Sequence, residues 1–256
     1  RQQVVRAVDT RLDREIALSV IRVAGLDDAS FERVRREARQ MARLGDHPNI
    51  VNIFDVGEEE DFIYLVAELM PGGSVDEQLN RAGGALPPER VLTIARQVAA
   101  ALEYVHSQGI VHRDIKPANL IVTSDGVVKI LDFGLAKLAG AAAITRTGSS
   151  VGTPAYMSPE QSRGEEVDHR TDLWSLGVVL YEMVAGRRPF RGDHEQAILY
   201  SLLHEDPKPL TQMRSDSASA AQPSCSPRAG DHHRSRRRPS AAWGVRCRTS
   251  RLAKYR

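Results

Sequence analysis

Hydrophobic and polar positions alternate along the first 23 residues. The runs "QQVVRAV" and "EIALSVIRV" have the pattern of strands, and "DTRLDR" between them suits a tight connection, so the sequence predicts a β-hairpin. Residues 28–44 instead show the steps of three and four of an amphipathic helix, with apolar side chains at Phe31, Val34, Ala38, Met41 and Leu44. Residues 49–57 and 62–69 again have strand patterns. We therefore expect a small antiparallel β lobe with one helix in residues 1–69.

Helical patterns dominate after the Pro and Gly break "MPGGS". The clearest helix covers residues 87–109, with proline at its start and Gly109 where a C-terminal cap belongs. Short strand patterns, "NLIVT" and "VVKIL", flank the turn "SDG", and helices follow at residues 172–186 and 194–205. The predicted fold class is α+β, in which residues 70–210 form a second, larger and mainly helical lobe.

Residues 211–256 have neither a helical nor a strand period. They hold 11 Lys and Arg against 2 Asp and Glu, a net charge of +9, whereas residues 1–210 hold 24 against 31, a net charge of −7. This composition, rich in Ser, Arg and Pro, predicts a basic, low-complexity and disordered tail.

Targeting segments and cysteines give little information about function. No stretch approaches the roughly 18 apolar residues that a membrane span needs, and the start has no signal-peptide pattern. The first residue is Arg, so we expect that an N-terminal piece is missing. Both cysteines, Cys225 and Cys247, lie in the tail, which excludes a disulfide framework in the body. The sequence favours a cytoplasmic protein.

Four sequence blocks carry the chemistry: "VHRDIKPANLIV", "VVKILDFG", "GTPAYMSPE" and "DLWSLGVVLYEM". In motif, spacing and order they resemble the eukaryotic-type serine/threonine protein kinases, with the composition of a bacterial-like member. The resemblance covers about residues 4–210. It implies a bilobal kinase fold and transfer of a phosphoryl group from ATP to Ser or Thr of a protein substrate.

The resemblance implies a role for each residue of the catalytic blocks. Phosphoryl transfer depends mostly on alignment and on neutralising phosphate charge. Asp114 would orient the attacking hydroxyl, and Lys116 matches the lysine that serine/threonine kinases place near the transferred phosphate. Asn119 and Asp132 would hold Mg²⁺, which prefers oxygen ligands.

The resemblance also places the nucleotide. Glu68 and Met70 would contact adenine through their backbone, and Ala67 stands at the position that gates the pocket behind it. The apolar positions that enclose the adenine ring are matched by Ala17, Ile121 and Val4. Because Ala67 is small, an unusually open pocket is expected.

Two departures from the family pattern concern the phosphates. The family's Ala-x-Lys is Ala17-Leu18-Ser19 here, so the lysine that reaches the phosphates and pairs with Glu37 is replaced by a neutral serine. Losing one preorganised contact of this kind typically costs about 10² to 10³ in rate. The glycine-rich loop is also missing, because its last glycine would fall at Gln2. We expect weak or absent catalysis, with Glu37 deprived of its cation.

The third departure is the tail, which begins where two further helices of the large lobe are expected. We hypothesise that it is a shifted reading frame, and the body is then an incomplete kinase domain. Two other functions stay open. One is a pseudokinase scaffold that binds nucleotide or a protein partner. The other is an acidic-surface or nucleic-acid binder acting through the tail, although only Trp243 and Tyr255 could stack on bases, so no specific nucleic-acid partner is predicted. The oligomeric state is not predicted.

Overall fold

A computed structural model describes residues 2–131 and 154–211. The predicted hairpin is confirmed, with β1 at Gln2–Asp9 and β2 at Arg14–Arg22. Strands β3 (Ile53–Glu59) and β4 (Phe62–Glu68) complete an antiparallel sheet in the order β1-β2-β4-β3. The small lobe is therefore built on one four-stranded sheet.

Helix α1 covers Asp28–Ala42, two residues less than predicted. The Asp27 side chain accepts a hydrogen bond from the Ser30 backbone N–H and caps its first turn. The predicted apolar face is confirmed, because Val34, Ala38 and Met41 are buried. This packing fixes the rotation of the helix about its own axis, and so the direction in which each polar residue points.

The large lobe begins with a short strand and two helices: β5 at Gly73–Ser74, α2 at Val75–Ala82 and α3 at Pro88–Ser107. Helix α3 confirms the clearest sequence prediction. Helix α2 was not predicted, since its short sequence buries only Val75 and Leu79. Its ends nevertheless carry ordinary signals, with Ser74 as N-cap and Gly83 in the left-handed conformation at φ +74°.

A second sheet pairs β5 with β6 (Leu120–Val122) and β7 (Val128–Ile130) in the order β5-β6-β7. Three helices follow in the described residues after 153: α4 at Pro159–Arg163, α5 at Arg170–Ala185 and α6 at Glu195–His204. Both of the predicted late helices are thus present. The observed architecture is the predicted α+β fold.

One hydrophobic core runs through both lobes. Its buried members include Ile21, Val34, Ile63, Ile94, Leu102 and Ile130. Residues 49–52, predicted as strand, instead connect the lobes, because the Ile130 N–H donates to the Asn49 carbonyl (2.9 Å) and the Val51 N–H to the Ile130 carbonyl (3.1 Å). Within residues 2–131 and 154–211, no helix is long and apolar enough to cross a membrane.

Candidate active site

The loop that carries the predicted catalytic residues is anchored on Asp172 of α5. The fully buried Asp172 carboxylate accepts hydrogen bonds from the backbone N–H groups of His112 (2.8 Å) and Arg113 (2.7 Å). Its Oδ2 also lies 2.8 Å from His106 Nε2 on α3. A charged acceptor that serves two backbone donors in the core fixes the loop strongly. Asp172 thus anchors the loop from the first turn of α5.

The loop backbone takes an unusual conformation at Arg113, whose φ is +66°. Side-chain contacts hold it on both sides. Gln161 Nε2 of α4 donates to the Arg113 carbonyl (3.0 Å). The His112 ring contacts the Leu131 carbonyl oxygen through Nε2 (2.7 Å), and its Nδ1 accepts a hydrogen bond from the Asp114 N–H (3.2 Å). A positive φ is uncommon for a residue other than glycine, and at Arg113 these hydrogen bonds hold it in place.

The three predicted catalytic residues are brought together. Lys116 Nζ lies 2.7 Å from Asp114 Oδ2. Asn119 Nδ2 donates to the Asp114 carbonyl (2.9 Å) and to Oδ2 (3.1 Å) from the short 3-10 turn Pro117–Asn119. Because its nitrogen faces Asp114, Asn119 Oδ1 is the atom left for a cation. The cluster combines a carboxylate, an ammonium group and an amide oxygen.

Asp132, the other predicted Mg²⁺ ligand, lies outside the described residues. The residue before it is placed, however. The Leu131 N–H donates to the Asn119 carbonyl (2.8 Å). Leu131 therefore lies beside Asn119, the residue predicted to share a metal with Asp132.

The predicted nucleotide residues are divided between the two lobes. In the small-lobe sheet, Ala17 pairs with Ala67, and Val4 pairs with Ser19. Directly opposite residues project from the same face of a sheet, so Ala17 and Ala67 lie on one face together, and so do Val4 and Ser19. Ile121 lies on β6 in the large lobe.

The connection between the lobes carries a contact that the sequence reading missed. Lys129 Nζ on β7 lies 2.6 Å from Glu68 Oε2. Glu68 belongs to β4, immediately before the segment with Met70. The pair fixes the predicted adenine-contacting segment to the large-lobe sheet. A lysine in the middle of a three-residue strand offers no pattern that identifies its partner 61 residues away.

The expectation that Glu37 lacks a cation is wrong. Ser19 is buried, at 7% exposure, on β2. Glu37 Oε1 on α1 instead lies 3.2 Å from Arg113 Nη1 of the catalytic loop. The physical reason is reach: a long guanidinium from the other lobe can meet the carboxylate where a serine cannot.

A part-buried polar pair in the large lobe was also missed. Tyr156 Oη donates to Glu182 Oε2 on α5 (2.6 Å). Burial raises the pKa of Glu182, against the lowering effect of the Tyr156 hydrogen bond. Burial likewise raises the pKa of Tyr156 far above its usual value. The pair connects the segment after residue 153 to α5.

Comparisons with known proteins identify similar sequences. The sequence pattern described as the protein kinase domain matches residues 2–233. A probable serine/threonine-protein kinase of Streptomyces coelicolor is 44% identical over 215 residues, which covers 80% of this chain and 31% of that protein. The serine/threonine-protein kinase PknL of Mycobacterium tuberculosis is 43% identical over 205 residues, 79% of this chain and 51% of its own.

A third relative, the serine/threonine-protein kinase PrkC of Bacillus subtilis, is 42% identical over 199 residues. That match covers 77% of this chain and 30% of PrkC. The chain thus spans about a third to a half of the length of these three curated relatives.

Proposed function

Because the chain belongs to the protein kinase domain family, with relatives named as bacterial serine/threonine-protein kinases, we propose that it transfers the γ-phosphoryl group of Mg²⁺–ATP to Ser or Thr of a protein substrate. The observation that carries the proposal is the cluster of Asp114, Lys116 and Asn119. Its three groups meet within hydrogen-bonding distance on a loop that is anchored in the core.

Each group has one task in this proposal. Asp114 accepts the hydrogen bond of the substrate hydroxyl, aims its oxygen at the phosphorus and takes its proton. Lys116 places positive charge beside the phosphoryl group during its transfer. Asn119 Oδ1 and the Asp132 carboxylate suit Mg²⁺, since both are hard oxygen donors. The metal, when bound, neutralises charge on the β- and γ-phosphates.

The nucleotide is proposed to lie between the lobes. Backbone groups of Glu68 and Met70 bind the adenine edge. The ring is enclosed by Ala17, Val4 and Ile121. Ala67 leaves space behind the ring, which predicts tolerance of nucleotides that are bulky there. The Lys129–Glu68 pair holds this segment in place before a nucleotide arrives.

The proposed rate is low. A buried serine at position 19 supplies no positive charge to the α- and β-phosphates, and Glu37 is engaged by Arg113 rather than orienting a lysine. One missing electrostatic contact of this type costs about 10² to 10³ in rate, roughly 3 to 4 kcal/mol. Adenine binding and the Asp114 cluster remain, so we expect slow transfer rather than none.

The experiment compares phosphate incorporation from labelled ATP into a generic basic protein for the parent chain and for Asp114→Asn. Asp125→Asn is the matched control, because Asp125 is an exposed turn residue bonded to Thr123. We expect slow incorporation that Asp114→Asn reduces at least 10-fold and Asp125→Asn leaves unchanged. Equal incorporation by the parent and Asp114→Asn would contradict the proposed role of Asp114.

A pseudokinase scaffold is the second candidate, and the serine at position 19 is what favours it. A scaffold is expected to be stabilised thermally by nucleotide without any transfer that depends on Asp114. Because the proposed cosubstrate is ATP, we place either activity in the cytoplasm. The two candidates are separated by measuring melting temperature and incorporation on the same samples.

A further inference from the structure

The ion pair between Glu37 and Arg113 is a direct side-chain connection between α1 of the small lobe and the catalytic loop. Glu37 Oε1 and Arg113 Nη1 are 3.2 Å apart, and the two side chains are 24% and 30% exposed. Partial burial weakens screening by water and salt, so such a pair counts for more than a surface contact. The two residues are 76 positions apart in the chain, so the contact depends on the fold.

The Glu37 end of the pair is held by packing. Val34, Ala38 and Met41 of the same helix are buried, and Asp27 caps the helix start. The helix can therefore present the carboxylate in a nearly constant position. Its own lobe places a serine, not a cation, at position 19.

The Arg113 end lies at the most constrained point of the catalytic loop. Its N–H is bound by Asp172 (2.7 Å) and its carbonyl by Gln161 (3.0 Å), while φ is +66°. The next residue is Asp114. A shift in the Arg113 backbone would therefore move the carboxylate that is proposed to orient the substrate hydroxyl.

We propose that Glu37 is a positioning residue of the catalytic loop, which it holds in place by binding Arg113. In other members of the family this carboxylate pairs with a lysine. Here it supports the backbone that presents Asp114. This inference deepens the proposed function, and it concerns loop order rather than the transfer step.

A cavity of about 340 Å³ lies beside the pair. Its lining includes Arg36, Glu37, Gln40, Met41, Ile110 and Arg113. A new cation at position 19 would compete with Arg113 for the carboxylate. Ser19→Lys is therefore expected to reduce the dependence of the loop on Glu37.

Hydrogen–deuterium exchange of the full chain, followed on peptides that cover residues 110–118, tests the proposal without requiring any catalysis. The variant is Glu37→Gln, which keeps the shape and removes the charge. Glu32→Gln is the matched control, because Glu32 lies on the same helix and pairs locally with Arg35 (3.0 Å). Glu37→Asp, which keeps the charge but is one methylene shorter, provides a second variant. Exchange in α3 serves as the reference for global stability.

We expect Glu37→Gln and Glu37→Asp to speed exchange in the catalytic-loop peptides about 5-fold, relative to α3, while Glu32→Gln has no effect. Combining Glu37→Gln with Arg113→Gln should add nothing to Arg113→Gln alone. In the Ser19→Lys background the effect of Glu37→Gln should fall below 2-fold. Equal loop exchange in the Glu37→Gln and Glu32→Gln chains overturns the proposal, as does full additivity with Arg113→Gln. A parent chain that transfers no phosphate, while the variants show the expected exchange pattern, would count against the proposed function alone.

Discussion

Replacement of Asp172 by asparagine removes the anchor of the catalytic loop while it preserves the volume of the side chain. In the structure the carboxylate accepts from the N–H groups of His112 and Arg113 and contacts His106 Nε2. The asparagine keeps one acceptor oxygen. Its amide nitrogen is a donor and must face a group that also donates.

The expected loss of stability follows from these contacts. Asp172 is fully buried, so water cannot replace a lost partner. In the better orientation the amide nitrogen takes the place of Oδ1, so the contact with the Arg113 N–H is lost and the two contacts at Oδ2 are no longer charge-assisted. Each hydrogen bond to a charged group contributes about 1.5–3 kcal/mol, against about 0.5–1.5 kcal/mol for a neutral one. We expect the free energy of unfolding to fall by about 3–6 kcal/mol, against a total of about 5–15 kcal/mol for a typical domain.

Urea unfolding followed by circular dichroism measures this loss, with the m-value checked for two-state behaviour. Asp168→Asn is the control, because Asp168 is an exposed carboxylate paired with Arg170 (2.8 Å) just before the same helix. It is expected to change the unfolding midpoint very little. A loss below about 1 kcal/mol for Asp172→Asn, with an unchanged m-value, would refute the claim that Asp172 anchors the loop.

Two further predictions concern stability. Since burial raises the folded-state pKa of Glu182, its contribution to stability is full below its unfolded value of 4.5 and declines as pH rises through the folded value. Glu182→Gln should therefore flatten that decline in unfolding midpoints measured from pH 4 to 8, and an unchanged slope would contradict it. Ser158→Ala removes a buried capping box with Gln161 and should cost about 1–2 kcal/mol in urea unfolding, more than Ser162→Ala in the same helix. Equal losses for the two serines would contradict the capping role.

Much of the fold was predictable, because in long periodic segments the local sequence determines the secondary structure. The 20 residues of α3 have a buried face, proline at the start and a glycine beyond the end, and these signals agree. Short elements lack such redundancy. Residues 49–52 have strand composition, but two hydrogen bonds to Ile130 make them a connection between lobes. The local sequence pattern gives no information about these two long-range hydrogen bonds.

The site was predictable to the extent that motifs fix backbone positions. The block "HRDIKPAN" predicted that Asp114, Lys116 and Asn119 cluster, and the structure brings them together. The motifs could not predict the partner of Glu37. A carboxylate that loses one cation turns toward the nearest reachable cation, and Arg113 is near only because the two lobes are packed together.

The central claim is that this chain keeps the catalytic cluster of a kinase and lacks one phosphate-binding charge. It is tested most directly by initial rates of Mg²⁺–ATP-dependent phosphate transfer for the parent chain, for Ser19→Lys and for Ser19→Lys with Asp114→Asn. The account predicts that Ser19→Lys raises the rate about 10²-fold or more and that Asp114→Asn abolishes the gain. An unchanged rate in a folded Ser19→Lys chain that binds nucleotide, or a gain that survives Asp114→Asn, would contradict it.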